Sequence, residues 1–308
     1  MSTRTFDFDS RSVTVGNADK VLFPDIGLTE GQLAGYYARV ADTMLPHLKG
    51  RPISMQRFPN GVNKPGFYAK QAPEHFPEWI DRVTITVLES GEKQPQVVIN
   101  NAETLIYLVD QATITPHTWL SRTTDLHHPD KLIFDLDPPK TFDSARAAAR
   151  QVHALLDELG LPAYLMTTGS RGLHVGVPLD GQSDFDTVRD FARDLANALA
   201  ARHPKELTIE TRKAQRRGRL FLDYLRNAYA QTAVPPYAVR ARPGASVATP
   251  LTWDELDDPD LDSQSYHVGN VLERIARIGD PWADFYKGGV SLTAARQRLK
   301  KVTAHNND

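Results

Sequence analysis

The sequence predicts an α/β protein whose second half forms one sheet covered by two helices. Two observations support this: short segments alternate apolar and polar residues, and two longer segments repeat apolar residues at helical spacing. Between about residues 131 and 224 these segments follow the order β-α-β-β-α-β. This order is the split β-α-β arrangement of ferredoxin-like, or RRM-like, folds. Strand and helix patterns before residue 125 add an N-terminal α/β module.

Local patterns place the elements of this core. Strands are expected at 131–137, 163–168, 173–178 and 219–224, with a further short strand near 207–211, and helices at 144–159 and 185–202. Ser144 or Asp143 is the candidate N-cap of the first helix, and Gly160 ends it. In the second helix an apolar stripe starts with Val188 and Phe191.

The N-terminal module follows from shorter patterns. Thr29 and Gln32 have the spacing of a capping box, which opens a helix that Pro46 is expected to end. No internal repeat or long linker interrupts the chain, so residues 1–308 are expected to form a single domain. Within it we expect a module over about 1–125, the core over about 126–245 and a C-terminal extension over about 246–308.

The composition excludes several classes of protein. The chain has 308 residues and a formal charge of −2, and 41% of its residues are hydrophobic, as in ordinary globular proteins. It contains no cysteine, which rules out disulfide scaffolds, thiol nucleophiles, iron–sulfur clusters and zinc sites built on thiolates. No segment approaches ~18 consecutive apolar residues and the first residues are polar. We therefore expect no signal peptide, no membrane span and a cytoplasmic location.

The charge is unevenly distributed. Residues 201–250 hold ten Lys and Arg against three Asp and Glu, whereas residues 251–280 hold eight acidic and two basic residues. A polyanion responds to the local field rather than to the charge of the whole chain. The basic stretch therefore favours a nucleic-acid partner, although two solvated faces would give the same pattern.

Two aspartates lie on the first strand of the core. Because side chains alternate along a strand, Asp135 and Asp137 project to one side of the sheet, with Cα atoms ~6.6 Å apart. Carboxylates at this spacing can share a pair of divalent cations, as in polymerases and nucleases. The alternative is a strand end with two solvated aspartates. Asp223, on the last strand, is the candidate third ligand, and such hard oxygen donors suit Mg²⁺ or Mn²⁺.

A glycine-rich turn joins the two middle strands. The glycines on either side of Ser170, the second of them Gly172, let backbone N–H groups converge on an anion. Arg171 and His174 add side-chain donors that suit phosphate. We therefore expect a triphosphate cradle here. The alternative is an ordinary hairpin with a partly buried histidine.

Three motifs occur together in this chain: Phe-Asp-Leu-Asp at 134–137, Gly-Ser-Arg-Gly-Leu-His at 169–174 and Leu-Asp-Tyr at 222–224. In combination they resemble the archaeo-eukaryotic primase superfamily and, within it, the polymerase domain of bacterial and archaeal ligase D. Further matching stretches lie at 17–24, 57–62, 67–71, 235–242 and 252–256. The resemblance runs from about residue 13 to 280 and implies a primase-polymerase fold.

The resemblance implies roles for individual residues. Asp135, Asp137 and Asp223 are implied to bind two divalent metal ions, Mn²⁺ or Mg²⁺, for nucleotidyl transfer. The residues implied to bind the incoming NTP or dNTP are Ser170, Arg171, Gly172, His174, His117 and Arg240. The residues implied to bind DNA are Asn17 and Lys20 at the 5′-phosphate beyond a gap, Phe67 and Tyr68 stacked on bases, and Arg57 and Lys70.

Some positions depart from the family pattern. Arg171 replaces a frequent lysine and Tyr68 a frequent phenylalanine, and both substitutions keep the chemistry. Glu30 and Gln56 stand where some members carry basic residues of the 5′-phosphate site, and Glu30 is expected to weaken an anion pocket. The alternative for the two stacking aromatics is a place in the core, and the alternative for His117 is a capped loop histidine.

The activity that the resemblance implies is template-directed addition of nucleotides to 3′-hydroxyl ends. It further implies a preference for ribonucleotides, use of Mn²⁺, and filling of short gaps during non-homologous end joining. The implied partners are DNA with gaps, overhangs or 5′-phosphorylated ends, a Ku-like end-binding protein and a DNA ligase, at the nucleoid. Two alternatives stay open: a metal-dependent phosphodiesterase that uses water as the nucleophile, and a non-catalytic end-binding or synapsis factor.

Overall fold

The computed structural model describes residues 2–87 and 90–304, and both ends of the expected 1–308 domain lie outside these ranges. The helices are α1 (Glu30–Leu48), α2 (Ala102–Asp110), α3 (Phe142–Glu158), α4 (Phe185–Arg202), α5 (Val271–Ile278) and α6 (Leu292–Ala304). The strands are β1 (Arg4–Asp7), β2 (Ser12–Val15), β3 (Val21–Phe23), β4 (Leu28–Thr29), β5 (Ile53–Arg57), β6 (Phe67–Ala69), β7 (Arg82–Thr86), β8 (Lys93–Val97), β9 (Thr113–Trp119), β10 (Ser121–Arg122), β11 (Asp125–Pro129), β12 (Lys131–Asp137), β13 (Tyr164–Thr167), β14 (Leu173–Pro178), β15 (Leu207–Thr208), β16 (Leu220–Asp223), β17 (Thr232–Ala233) and β18 (Thr249–Leu251). None of the helices in these ranges is long and apolar enough to cross a membrane.

Internal contacts divide the chain into two compact units. The first comprises the residues up to Thr124 together with 232–249 and 266–279. The second comprises 125–231, 250–265 and the residues from Asp280 onward. The first boundary thus lies one residue from the expected border of the N-terminal module, while residues 232–249 group with the first unit.

The second unit is built on a six-stranded sheet in the order β15-β16-β12-β14-β13-β18. Strand β12 pairs antiparallel with both β14 and β16, and β13 pairs antiparallel with β14. Since α3 follows β12 and α4 follows β14, the chain runs β-α-β-β-α-β with the last strand beside the first. The ferredoxin-like arrangement expected from the sequence is confirmed.

The two faces of β12 differ as its alternating pattern predicts. Leu132, Phe134 and Leu136 have no exposed surface, and helices α3 and α4 pack against this strand. Each such side chain stabilises the fold by roughly 1.5–3 kcal/mol relative to an exposed one. The opposite face is therefore held in place by a dry core, and it carries Asp135 and Asp137.

Helix α3 begins earlier than its sequence pattern indicates. Its N-cap is Thr141, so the expected N-cap at Ser144 or Asp143 is wrong. The Ser144 hydroxyl instead donates to the carbonyl oxygen of Thr141 at 2.8 Å. Asp143 lies in the first turn, where a carboxylate is favourable beside the positive end of the helix dipole. A short polar residue is stable at either place, which is why the pattern did not separate them.

The first unit holds a four-stranded sheet in the order β17-β9-β5-β6, with α1 packed against α2. Thr29 and Gln32 form the expected capping box: the Gln32 N–H donates to Thr29 Oγ1 at 3.3 Å, and the Thr29 N–H donates to Gln32 Oε1 at 2.9 Å. Helix α1 continues past Pro46 to Leu48, so the expected end at Pro46 is wrong. Proline in the last turn removes one donor but leaves the rest of the helix intact.

Candidate functional site

Three polar residues form a row across the middle of the second-unit sheet. Asp135 on β12 pairs in register with Asp223 on β16 and with His174 on β14. Directly opposite residues on neighbouring strands project to the same face. Asp137, two residues further along β12, belongs to that face as well. Register therefore gathers residues that are far apart in the sequence.

Asp135 lies between Arg226 and His174. Its side chain is almost buried, Arg226 Nε donates to its Oδ2 at 3.2 Å, and His174 Nε2 lies 3.6 Å from its Oδ1. Burial by itself would raise the pKa of Asp135, but the charges of His174 and Arg226 and their hydrogen bonds lower it to about 2. Asp135 is therefore a carboxylate at any physiological pH.

Asp223 is less favourably placed as a charged group. Burial and the negative charge of Asp135 raise its pKa, and Arg226, with Nε 3.7 Å from Asp223 Oδ2, opposes that rise. The Leu225 N–H donates to Asp223 Oδ1 at 2.9 Å and orients the carboxyl group. Two carboxylates on neighbouring strands thus share one guanidinium.

The donor set fits a hard divalent cation. Carboxylate oxygens are the ligands that Mg²⁺ and Mn²⁺ prefer, and Arg226 already places one positive charge against Asp135 and Asp223. Asp137, which is half exposed, pairs instead with Arg171 at 3.3 Å. Within residues 2–87 and 90–304, no three His, Asp or Glu side chains are grouped closely enough to hold a metal ion as they stand.

The turn between β13 and β14 is organised by Thr168. Its hydroxyl accepts hydrogen bonds from the N–H groups of Ser170 and Gly172, both at 3.3 Å, and donates to the Gly172 carbonyl at 3.1 Å. A Cβ on Gly172 would lie 2.1 Å from the carbonyl oxygen of Leu136, so only glycine fits there. Two of the amides expected to face an anion thus bond to Thr168. The side chain of Arg171, 59% exposed, is the donor that the turn presents outward.

Sequence reasoning missed Arg226 and Asn227, which follow β16. Asn227 is fully buried, accepts from the Ile133 N–H at 2.9 Å and donates to the Ile133 carbonyl at 2.8 Å. It therefore continues the ladder of β12 where β16 no longer reaches. Sequence spacing could have indicated Arg226, because a cationic residue three positions after Asp223 at the end of a strand is placed to contact that carboxylate. Nothing in the sequence indicates the bonds of Asn227, which span 94 residues.

In the first unit, the predicted stacking aromatics lie on the edge strand β6. Phe67 and Tyr68 are 48% and 57% exposed, so the alternative that they belong to the core is excluded. The Arg57 guanidinium lies 5.6 Å from the centroid of the Phe67 ring, and the Tyr68 ring meets the His117 ring edge-on at 5.4 Å. Lys70 is exposed just beyond the strand. One edge of this sheet thus carries two exposed aromatic rings, with the Arg57 guanidinium over one of them.

The predicted 5′-phosphate residues lie near the start of α1. The Lys20 N–H donates to the Asn17 carbonyl and the Glu30 N–H donates to the Lys20 carbonyl, each at 2.8 Å. The Glu30 side chain is 1% exposed, and burial raises its pKa to about 7, while the nearby Lys20 charge partly opposes the rise. Below that pH Glu30 is mostly uncharged. The expectation that Glu30 weakens an anion pocket therefore depends on pH.

The remaining residues expected at the nucleotide fall in different units. His117 is buried on β9, which excludes the alternative of a loop histidine. Arg240 is half buried, and its N–H donates to the Ser246 carbonyl at 2.7 Å. Both belong to the first unit. The other four belong to the second unit: Ser170, Arg171, Gly172 and His174.

Comparison with known proteins gives a consistent set of relatives. The chain matches the family described as LigD, primase-polymerase domain, over residues 29–282. It is 36% identical over 272 residues to the multifunctional non-homologous end joining protein LigD of Mycolicibacterium smegmatis, covering 87% of this chain and 35% of that protein. It is 33% identical over 297 residues to the protein of the same name from Pseudomonas aeruginosa, covering 94% of this chain and 35% of that protein. The chain thus spans about a third of the length of the curated relatives it matches.

One solved structure has a closely similar fold. The polymerase domain from Mycobacterium tuberculosis ligase D in complex with DNA matches with a TM-score of 0.84 and 34% sequence identity. The match covers 90% of this chain and 99% of that one.

Proposed function

The chain belongs to the LigD primase-polymerase domain family, a family of nucleotidyltransferases, and from this premise we propose that it extends 3′-hydroxyl ends of broken DNA under the direction of a template. One observation carries the proposal most directly. Strand register places Asp135 beside Asp223 and His174 on one face of the sheet, with Asp137 two residues further along β12. This is a carboxylate set that can serve phosphoryl transfer.

A polymerase domain uses divalent metal ions and nucleoside triphosphates in general, and we assign the metal-binding role here to Asp135, Asp137 and Asp223. Bound divalent ions would lower the pKa of the attacking hydroxyl and neutralise charge on the leaving pyrophosphate. Neighbouring side chains of the protein control the charges of these carboxylates. Arg226 and His174 keep Asp135 ionised, and Arg226 offsets the repulsion between Asp135 and Asp223 when no metal is bound.

We assign the incoming nucleotide to the glycine-rich turn. Arg171 is exposed beside Asp137, and its planar fork suits the triphosphate. The nucleotide-binding set comprises Ser170, Arg171, Gly172, His174, His117 and Arg240. Arg171 lies between the two residues whose N–H groups donate to Thr168 Oγ1, so hydrogen bonds hold the backbone on both sides of it. Phosphoryl transfer depends mainly on such positioning and charge neutralisation.

We assign DNA binding to the first unit. The exposed rings of Phe67 and Tyr68 offer stacking faces that tolerate any base. Arg57 and Lys70 add charge beside them. Near the start of α1, Asn17 and Lys20 are assigned to the 5′-phosphate on the far side of a gap. The relative in complex with DNA supports a nucleic-acid partner for this chain.

The biological setting follows from the relatives. Their end-joining names support a role in filling short gaps during double-strand break repair. The expected partners are DNA with gaps, overhangs or 5′-phosphorylated ends, a Ku-like end-binding protein and a DNA ligase. The expected preferences are for ribonucleotides and Mn²⁺. We propose that the two units act as one primase-polymerase domain, in the cytoplasm and at the nucleoid.

Extension of a labelled primer on a short-gapped duplex with Mn²⁺ tests the proposal. Ribo- and deoxyribonucleotides are compared, with and without a downstream 5′-phosphate, for the wild-type chain and for Asp135→Ala. We expect extension that disappears in the variant while its circular dichroism and gapped-DNA affinity stay close to wild type. Binding without extension on every substrate would favour an end-binding factor. Hydrolysis of DNA without nucleotide addition would favour a phosphodiesterase.

A further inference from the structure

A basic cleft opens beside Asp223 in the second unit. It has a volume of about 540 Å³ and is lined by eight residues, among them Arg189 and Arg193 of α4 and Arg226 and Leu225 after β16. Asp223 is the acidic residue in that lining, so three guanidiniums face one carboxylate. An anion in the cleft would therefore lie directly next to the carboxylate row.

Arg189 and Arg193 of α4 make weak surface ion pairs, and Arg193 Nε also lies 4.0 Å from Asp194 Oδ1. Arg189 pairs with Asp186 at 3.0 Å and Arg193 with Asp190 at 3.1 Å, and all four side chains are at least 38% exposed. Exposed pairs of this kind contribute roughly 0.2–1 kcal/mol. Neither aspartate belongs to the lining of the cleft. Both guanidiniums can therefore turn to a phosphate with little loss of stability.

The spacing of the two arginines suits a chain of phosphates. Positions four apart lie on the same face of a helix, roughly 6 Å apart along its axis. The opposite face of α4 is anchored in the core by residues such as Val188 and Phe191, which fixes the exposed face. Two guanidiniums in such a row match a repeating polyanion better than a single small anion.

Leu225 adds an apolar surface to the lining of the cleft. Leu225 is 42% exposed although it lies on a turn that Asn227 ties to β12 through Ile133. A fixed, exposed leucine between cations gives a surface for a sugar or base face, and the arginines give one for its phosphates.

We propose that this cleft binds the sugar–phosphate backbone of the strand whose 3′-hydroxyl is extended, just upstream of the reacting end, an inference that rests on the proposed function. Arg189 and Arg193 contact its phosphates, and Leu225 packs against its terminal nucleotide. The shared chemistry, phosphate binding, also fits released pyrophosphate or the incoming nucleotide. Binding to DNA with and without the upstream strand, together with the KM for each substrate, separates these sources.

The test compares Arg189→Ala/Arg193→Ala with Arg150→Ala, which removes an exposed, ion-paired arginine of α3 outside the cleft. Binding is measured in EDTA as a function of KCl, by fluorescence anisotropy. One DNA is a gapped duplex, and the other lacks the upstream strand but keeps the template and the downstream 5′-phosphate. Arg189→Lys/Arg193→Lys keeps the charges and controls for their loss. The melting temperature of each variant verifies folding.

We expect the double alanine variant to lose about tenfold in affinity for the gapped duplex, with a slope of log K against log[KCl] shallower by roughly 0.7–0.9 for each phosphate that the variant no longer neutralises. Affinity for the DNA without the upstream strand should not change. In steady state, the KM for the primer should rise while the KM for the nucleotide and kcat stay constant. The lysine variant and Arg150→Ala should bind as wild type.

Equal losses on both DNAs, or a raised KM for the nucleotide, would overturn the assignment to the primer strand. Wild-type behaviour of the double alanine variant on every substrate would overturn it as well. Neither result bears on the proposed polymerase activity. That proposal is contradicted only if the wild-type chain itself does not extend a primer.

Discussion

The carboxylate row of the second unit and the aromatic edge of the first unit place their residues by opposite means. Asp135 and Asp223 are fixed by strand register over a dry core and are largely buried. Phe67 and Tyr68 lie on a three-residue edge strand and are about half exposed. Groups that meet reacting atoms need one geometry, whereas groups that stack on bases need an open face. We therefore expect losses of turnover when the first set is changed and losses of affinity when the second is.

Beyond Asp135→Ala, the largest effect is expected for Asp223→Asn. Its amide keeps the hydrogen bond from Leu225 and removes a charge that burial and Asp135 disfavour. We expect nucleotide addition to fall at least about 10²-fold, since an essential electrostatic interaction is removed. The melting temperature in EDTA should stay the same or rise. Asp260→Asn, at an exposed position in the same unit, serves as the control for both measurements. A large loss of stability together with activity would assign Asp223 a structural role instead.

Gly172→Ala tests how rigidly the turn is tied to the strand that carries the carboxylates. The added methyl group would overlap the Leu136 carbonyl, so the end of β12 must shift. We expect destabilisation of about 1–3 kcal/mol in urea unfolding and a raised KM for the nucleotide. Gly288→Ala, where the added methyl meets nothing within 4 Å, should change neither quantity. Wild-type stability and KM in Gly172→Ala would show that the close approach of Gly172 to the Leu136 carbonyl does not constrain the site.

Tyr68→Ala should affect binding and leave the chemistry intact. Loss of one stacked base weakens DNA binding by about 1–3 kcal/mol, roughly 5- to 150-fold in Kd. We expect kcat at saturating DNA and the salt dependence of binding to remain unchanged, because no charge is removed. Tyr68→Phe keeps the ring and should bind DNA as wild type. A fall in kcat at saturating DNA would place Tyr68 with the catalytic row.

The smallest effect is expected for Glu30→Gln, and it depends on pH. Because burial raises the folded-state pKa of Glu30 to about 7 from 4.5, folding takes up a proton in that window. The stability that Glu30 contributes is therefore greatest below pH 4.5 and is lost as the pH rises to about 7. Glutamine removes this loss, so the stability of the variant relative to wild type should be greater at pH 8 than at pH 5 by about 1 kcal/mol or more. Thermal unfolding at the two pH values checks this. An identical difference at both would show that Glu30 titrates normally.

Glu30→Gln also sharpens the assignment of the 5′-phosphate site near Lys20. A neutral glutamine leaves the Lys20 charge unopposed at pH 8, so affinity for gapped DNA with a 5′-phosphate should rise there. The same DNA without the phosphate should bind equally to both proteins. An equal rise in affinity for both DNAs would mean that Glu30 acts through the overall electrostatic attraction of DNA and not on the 5′-phosphate.

The sequence alone determined the order of elements in the core and the face on which Asp135 and Asp137 lie, because alternation and helical spacing are local properties. It also identified the glycine-rich turn and the family. Helix ends were less well determined: Thr141 rather than Ser144 caps α3, and α1 runs through Pro46. These ends depend on competing interactions of similar energy.

Only the tertiary structure decided which distant groups meet. The register of β12 with β16 set Asp135 opposite Asp223, and the turn after β16 brought Arg226 onto both carboxylates. Burial, which no single residue encodes, gave Glu30 its raised pKa, and the cations packed against Asp135 gave that residue its lowered one. Local chemistry can be read along the chain, but long-range pairing and desolvation exist only after the chain has folded, and they set the charge of Glu30 in the first unit and of Asp135 in the second.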